Sequence, residues 1–167
     1  MTVDIVRELG HLTLGTRLKR LGERLQAQTQ AVLGEADIRL PASHLVILAA
    51  LDRLGPLSVG ELTDAVGISQ PGISRMVENL RSEGLVASGR PAEDRRIRPI
   101  VMTESGRQLV ARSKRLAWPR VESAVAEVCA RASGPLLAQL SALEEALEEA
   151  PLCSRADRIS ERGKRHA

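Results

Sequence analysis

The residues of this chain best able to do chemistry are arginines and small polar side chains. Arg90, Arg95, Arg96 and Arg98 fall in and beside one short loop that also holds Gly89 and Pro91. Shortly upstream, Ser69-Gln70-Pro71-Gly72-Ile73-Ser74-Arg75 opens a stretch with helical apolar spacing. Hydroxyl and amide groups read base edges, and an arginine forks onto guanine or a phosphate. A cationic loop beside them grips the backbone or enters a minor groove. A solvated turn seldom needs four guanidinium groups so close together. The pattern points to duplex DNA as the partner.

Those side chains need a helix to carry them. At about 100° per residue, Ile73, Met76, Val77 and Leu80 share one face. Pro71, Arg75 and Ser82 lie opposite, flanked by Gly72, Ser74, Glu78 and Asn79. The outward amino-terminal half is thus small and polar, with Gln70 placed to read adenine and free N–H groups suited to a phosphate. Ser69 is the candidate cap, and Pro71 is tolerated in a first turn. Upstream, Ser58-Val59-Gly60-Glu61 has capping-box spacing, and Gly67 suits a left-handed stop. Only Ile68 then separates two helices, which is the spacing of a helix-turn-helix. Downstream, Leu85-Val86-Ala87 and Ile97 to Met102 read as short strands joined by the arginine loop. Pro99 cannot donate to a ladder, so it belongs at an edge. Asp94 would be repelled by phosphate, and its expected role is to hold an arginine in place.

The rest of the chain reads as helices. Val3 to Leu33 carries one helical pattern, and Ala42 to Leu54 a second with Leu45, Leu48, Leu51 and Leu54 as its stripe. A long helix is predicted from Glu104 to Arg131, kinked at Pro119. A last one carries Leu136, Leu140, Leu143 and Leu147 on one face, and the charged tail from Ser154 is expected to fray. The fold class is mainly α with a small β wing: a winged helix-turn-helix lobe plus a helical dimerisation layer. The expected divisions are 1–35 and 107–150 for dimerisation, 36–106 for DNA binding and 151–167 for a flexible basic tail.

Composition narrows the alternatives. An apolar fraction of 43% supports a sizeable core, and with one Trp and no Tyr or Phe that core must be aliphatic. A net charge of +3 is too mild to establish nucleic-acid binding, so the placement of charge matters more. Cys129 and Cys153 have no metal-type spacing, and no signal peptide or apolar run of spanning length is visible. The expectation is a cytoplasmic protein. No nucleophile–base pair, phosphate loop or metal set appears, so an enzyme is disfavoured and no cofactor is expected. The remaining alternative is a winged-helix protein-interaction module, against which the arginine loop argues.

The run Asp94-Arg95-Arg96-Ile97-Arg98-Pro99-Ile100-Val101-Met102-Thr103-Glu104-Ser105-Gly106 resembles the wing signature of the MarR family of winged helix-turn-helix regulators. Ile68 to Val77 is similar to that family's recognition helix, and the order of helices matches from about Val3 to Leu147. The resemblance implies a homodimeric repressor, with two lobes reading a pseudo-palindromic operator. The long first helix and the Leu136/Leu140/Leu143/Leu147 stripe independently carry more apolar surface than one small lobe can cover. The resemblance also implies a small, aromatic or anionic effector that loosens DNA binding. His11, Arg17, His44 and Trp118 are the residues placed to border such a site, although a lone Trp is more often core and a His at a helix start more often a cap. The peroxide-sensing cysteine of some relatives is absent from the first helix, and the scattered histidines show no zinc pair.

Overall fold

The computed structural model describes residues 3–89 and 98–165. Its contacts divide into two compact units, Met1–Val121 and Glu122–Ala167. The first contains the helix-turn-helix and its wing.

That unit opens with α1 (Ile5–Glu8), a 3-10 turn (Gly10–Thr13) and α2 (Leu14–Glu35). The sequence pattern predicts one continuous helix here. Gly10 breaks it by taking φ +56°, a conformation that costs glycine little and most residues much. The break folds α1 back so that Asp4 accepts both ends of the Arg20 guanidinium, at 3.1 and 2.9 Å. Only Leu33 of α2 is buried; Leu18, Leu21 and Leu25 remain exposed.

The core assembles around α3 (Ala42–Leu54), whose Leu45, Ile47, Leu48 and Leu51 are buried. Leu54, predicted as part of that stripe, is 59% exposed, and Ile47 takes its share of the interior. Leu62 of α4 (Val59–Val66) and Ile73, Val77 and Leu80 of α5 (Gln70–Ser82) complete the three-helix centre. The capping box forms as its spacing predicts. Ser58 N–H donates to Glu61 Oε2 at 2.7 Å, and Glu61 N–H donates to Ser58 Oγ at 3.2 Å. Gly67 ends α4 at φ +69°. Ser69 starts α5 without a hydroxyl cap, so Ile68 alone spans the turn between the two helices.

The wing is an antiparallel pair, β1 (Val86–Ser88) and β2 (Ile100–Met102), in the register Val86↔Met102, Ala87↔Val101, Ser88↔Ile100. Leu57 bridges to the other edge of β2: its N–H donates to Ile100 O and its carbonyl accepts from Ile100 N, at 3.2 and 2.7 Å. β1 keeps its predicted length but sits one residue later, and β2 begins at Ile100. Leu85 precedes β1, and Pro99 precedes β2, its carbonyl accepting from Gly89 N–H at 2.7 Å.

Thr103 then starts α6 (Glu104–Leu116). Its hydroxyl accepts from Gly106 N–H at 3.1 Å and donates to Gly84 O at 2.7 Å, while its own N–H donates to Leu85 O at 3.0 Å. The long helix predicted to run from Glu104 to Arg131 is two helices. α6 ends at Ala117, and α7 (Trp118–Cys129) begins there with Pro119 in its first turn. Proline is better accommodated by a new helix start than by an internal kink, because its missing N–H is not needed there.

The second unit comprises the end of α7 with α8 (Leu136–Glu149) and α9 (Leu152–Arg165). The tail expected to fray from Ser154 is helical. Arg155 Nε donates to Ala150 O at 3.0 Å, which supplies a local anchor that charge content alone does not reveal. Leu137, Leu143 and Leu147 of α8 are exposed.

Candidate nucleic-acid interface

α5 buries Ile73, Val77 and Leu80 and presents the opposite face to solvent, as its periodicity requires. Ser69, Gln70, Pro71 and Arg75 are exposed, and Ser74 is half-buried. The first turn keeps N–H groups that no hydroxyl caps, since Ser69 Oγ makes no capping bond. Backbone donors and a positive helix end therefore sit beside an exposed arginine. Among the described residues Arg75 and Arg98 make no ion pair, and Arg98 is exposed just before β2. Arg90, Asp94, Arg95 and Arg96 lie outside the described residues.

Gly72 and Asn79 have structural duties the sequence did not disclose. A Cβ at Gly72 would stand 2.8 Å from Ile68 Cγ2, so glycine is what lets the turn pack onto the helix. Asn79 turns toward α3, with Nδ2 3.2 Å from His44 Nε2; His44 Nδ1 lies 3.2 Å from Ser43 Oγ. A neutral imidazole with its proton on Nδ1 satisfies both contacts, donating to Ser43 and accepting from Asn79. Burial pushes the His44 pKa down, which favours that neutral form.

His44 and Asn79 also line a cavity of about 430 Å³. Asp37 and Arg39 from the α2–α3 corner, Glu83 at the end of α5 and Leu109 of α6 form other parts of its wall. Asp37 sits at φ +54°, held by Arg39 at 3.2 Å and Arg112 at 3.3 Å; these partners, Arg112 first, keep its carboxyl below the usual range. Arg112 also donates to Ala36 O at 2.8 Å, which clamps that corner to α6.

The four predicted sensor residues do not converge. Arg17 lines a separate hollow of about 230 Å³ with Asp4, Arg7, Arg20 and Arg24. His11 is exposed on the 3-10 turn. Trp118 packs half-buried against the core, with Lys114 Nζ 6.0 Å from its ring centroid. Only His44 reaches α5. Among the described residues no three His, Cys, Asp or Glu side chains are arranged to hold a metal. No helix among them is long and apolar enough to cross a membrane.

Residues 40–97, which carry α3 to β1 and the start of the wing segment, match the sequence profile of the MarR family. That segment is similar to the MarR family of regulators. The chain's winged-helix fold recurs in solved structures. A MarR family transcriptional regulator from Silicibacter pomeroyi is 27% identical, over 81% of this chain and 85% of that one, with a TM-score of 0.55. The Bordetella bronchiseptica regulator BpsR, whose DNA binding is regulated by 6-hydroxynicotinic acid, is 24% identical, over 81% and 93%, with a TM-score of 0.62. BldR from Sulfolobus solfataricus is 22% identical, over 89% and 100%, with a TM-score of 0.63. In this chain the Thr103-Glu104-Ser105-Gly106 run is the joint where α6 docks on the turn leaving α5.

Sequence reasoning missed a contact beside this face, between Arg81 and Ser88. Arg81 Nη2 donates to Ser88 Oγ at 3.3 Å, from the end of α5 to the end of β1. No periodicity marks such a contact.

Proposed function

We propose that this chain is a MarR-family regulator that binds double-stranded DNA sequence-specifically and acts as a homodimer, as a repressor released from a pseudo-palindromic operator by a small ligand. The observation that carries the reading is the outer face of α5: uncapped N–H groups, Gln70, Ser74 and an exposed Arg75 on a helix whose inner face is fully committed to the core. In that role Ser69, Gln70, Pro71, Gly72, Ser74 and Arg75 meet the major groove, and Arg90, Arg95, Arg96 and Arg98 grip the flanking backbone. Asn79 supports the helix through His44 and contacts DNA only at its edge.

The exposed apolar residues support a second copy as partner. Ile5, Leu9, Leu12, Leu18, Leu21 and Leu25 of the first unit lie open, with Leu12 81% exposed. An apolar stretch of this size on a folded chain marks an interface. In a dimer, the two recognition helices would fall about one DNA turn apart, roughly 34–36 Å. For the effector, the His44 cavity is favoured over the Arg17 hollow, because Asn79 makes any occupant a direct neighbour of α5.

Selection of bound fragments from the host genome, followed by salt-titrated anisotropy on the recovered duplex, tests the reading. Operator-specific binding by a dimer, weakening steeply with salt, is the expected result. A stable monomer, or a chain that ignores every fragment at low salt, would leave the protein-interaction module as the better account.

A further inference from the structure

Arg81 lies on the flank of α5, turned neither into the core nor squarely to the outer face. Its guanidinium is engaged at both ends. One terminal nitrogen pairs with Glu78 on the same helix, and the other donates to Ser88 Oγ on β1 at 3.3 Å. The third nitrogen, Nε on the stem side, is buried and has no hydrogen-bond partner among the described residues. A buried donor left unpaired is unfavourable, so the fork is held by what its two ends do.

Those ends span the junction between recognition helix and wing. The backbone link is three residues, Glu83-Gly84-Leu85, closed by Gly84 N–H to Arg81 O at 3.0 Å and Leu85 N–H to Leu80 O at 2.9 Å. Ser88 is the last residue of β1 and pairs with Ile100. The next residue, Gly89, closes against Pro99 O at 2.7 Å and has no room for a side chain, since a Cβ there would meet Val101 Cγ1 at 2.9 Å. The arginine strut therefore lands beside the Gly89–Pro99 hydrogen bond, the outermost of the wing among the described residues.

We propose that Arg81, bridging Glu78 and Ser88, is a positioning residue that sets the angle of the wing relative to the recognition helix. It acts through the wing base and touches no base itself. A planar fork suits this task because it presents two donors at a fixed separation, which a lysine cannot do. This inference rests on the DNA-binding reading for its consequence, but its geometry is independent of it.

The test uses full-length Arg81→Lys, Ser88→Ala and the double variant. The first readout is hydrogen exchange at the Gly89 amide, which needs no DNA. The second is binding to a mixed-sequence duplex across a salt series. Exchange at Gly89 is expected to rise about fivefold in each single variant, the factor of one hydrogen bond. Duplex affinity is expected to fall by a similar factor, with a shallower salt slope, and the double variant is no worse than either single. Unchanged Gly89 exchange in both single variants overturns the proposal. So does wild-type affinity and slope in Arg81→Lys, which marks Arg81 as a plain phosphate contact. A lowered melting temperature with the salt slope intact overturns it in favour of a purely structural role. If the wild-type chain ignores the duplex, the DNA-binding reading fails, and Gly89 exchange still decides the strut.

Discussion

Gly106→Ala separates two physical arguments by the sign of its effect. Gly106 is buried in the first turn of α6, where its backbone is ordinary helix. On helix propensity alone, alanine would stabilise that turn by about 1 kcal/mol. The structure argues the reverse. A Cβ at Gly106 would stand 2.2 Å from Leu85 O, about 1 Å inside the ~3.3 Å at which carbon and oxygen meet. The obstacle is a carbonyl, which cannot swing aside as a side-chain tip can. Relief requires α6 to back away from the α5–β1 turn, weakening Thr103 N–H to Leu85 O and Thr103 Oγ to Gly84 O. Two hydrogen bonds at about 1 kcal/mol each, plus strain of about 1–3 kcal/mol, outweigh the propensity gain. The expected net loss is about 2–4 kcal/mol, or roughly 5–15 °C in melting temperature for a chain of this size. Calorimetry at matched protomer concentration measures it. Gly60→Ala is the control, since its nearest neighbour would be Ser58 Oγ at an unstrained 3.8 Å. A Gly106→Ala protein that melts at or above the wild-type temperature refutes the reasoning.

Three further outcomes follow from particular contacts. Ser58→Ala removes the capping box and should cost about 1 kcal/mol, read from denaturant midpoints at unchanged slope. For His44, the folded chain holds the proton less tightly than the unfolded chain does, so its contribution is complete above the ordinary value near 6.5 and is lost as pH falls through the lowered folded value. The stability of His44→Gln should accordingly depend less on pH across that acidic window, and identical pH profiles would remove the assignment. Arg75→Ala should weaken operator binding by about 1–3 kcal/mol and relax specificity at one base position; equal losses on every duplex would reduce Arg75 to a phosphate contact.

Much of the lobe was legible because its determinants are local. The Ser58/Glu61 box, the Gly67 stop, the Thr103 start and the Ile73/Val77/Leu80 face each depend on residues within four positions. Periodicity misjudged the ends and breaks. It cannot register that Gly10 adopts a positive φ, or that Pro119 finds a new helix start cheaper than a kink. Leu54 fits its stripe numerically and still faces water, because the neighbouring elements cover Ile47. The tail looked too charged to order, yet Arg155 reaches the end of α8 and α9 forms.

The sequence by itself determined which helix presents polar groups outward, since a 3.6-residue period assigns faces without reference to neighbours. Only the tertiary structure decided what those groups are coupled to. His44 and Asn79 meet across thirty-five residues, and Arg112 clamps the α2–α3 corner from seventy-six residues away. Gly106 must be bare because Leu85 passes over it. Such contacts are set by how helices cross, and a crossing depends on the summed packing of all partners rather than on any one spacing along the chain.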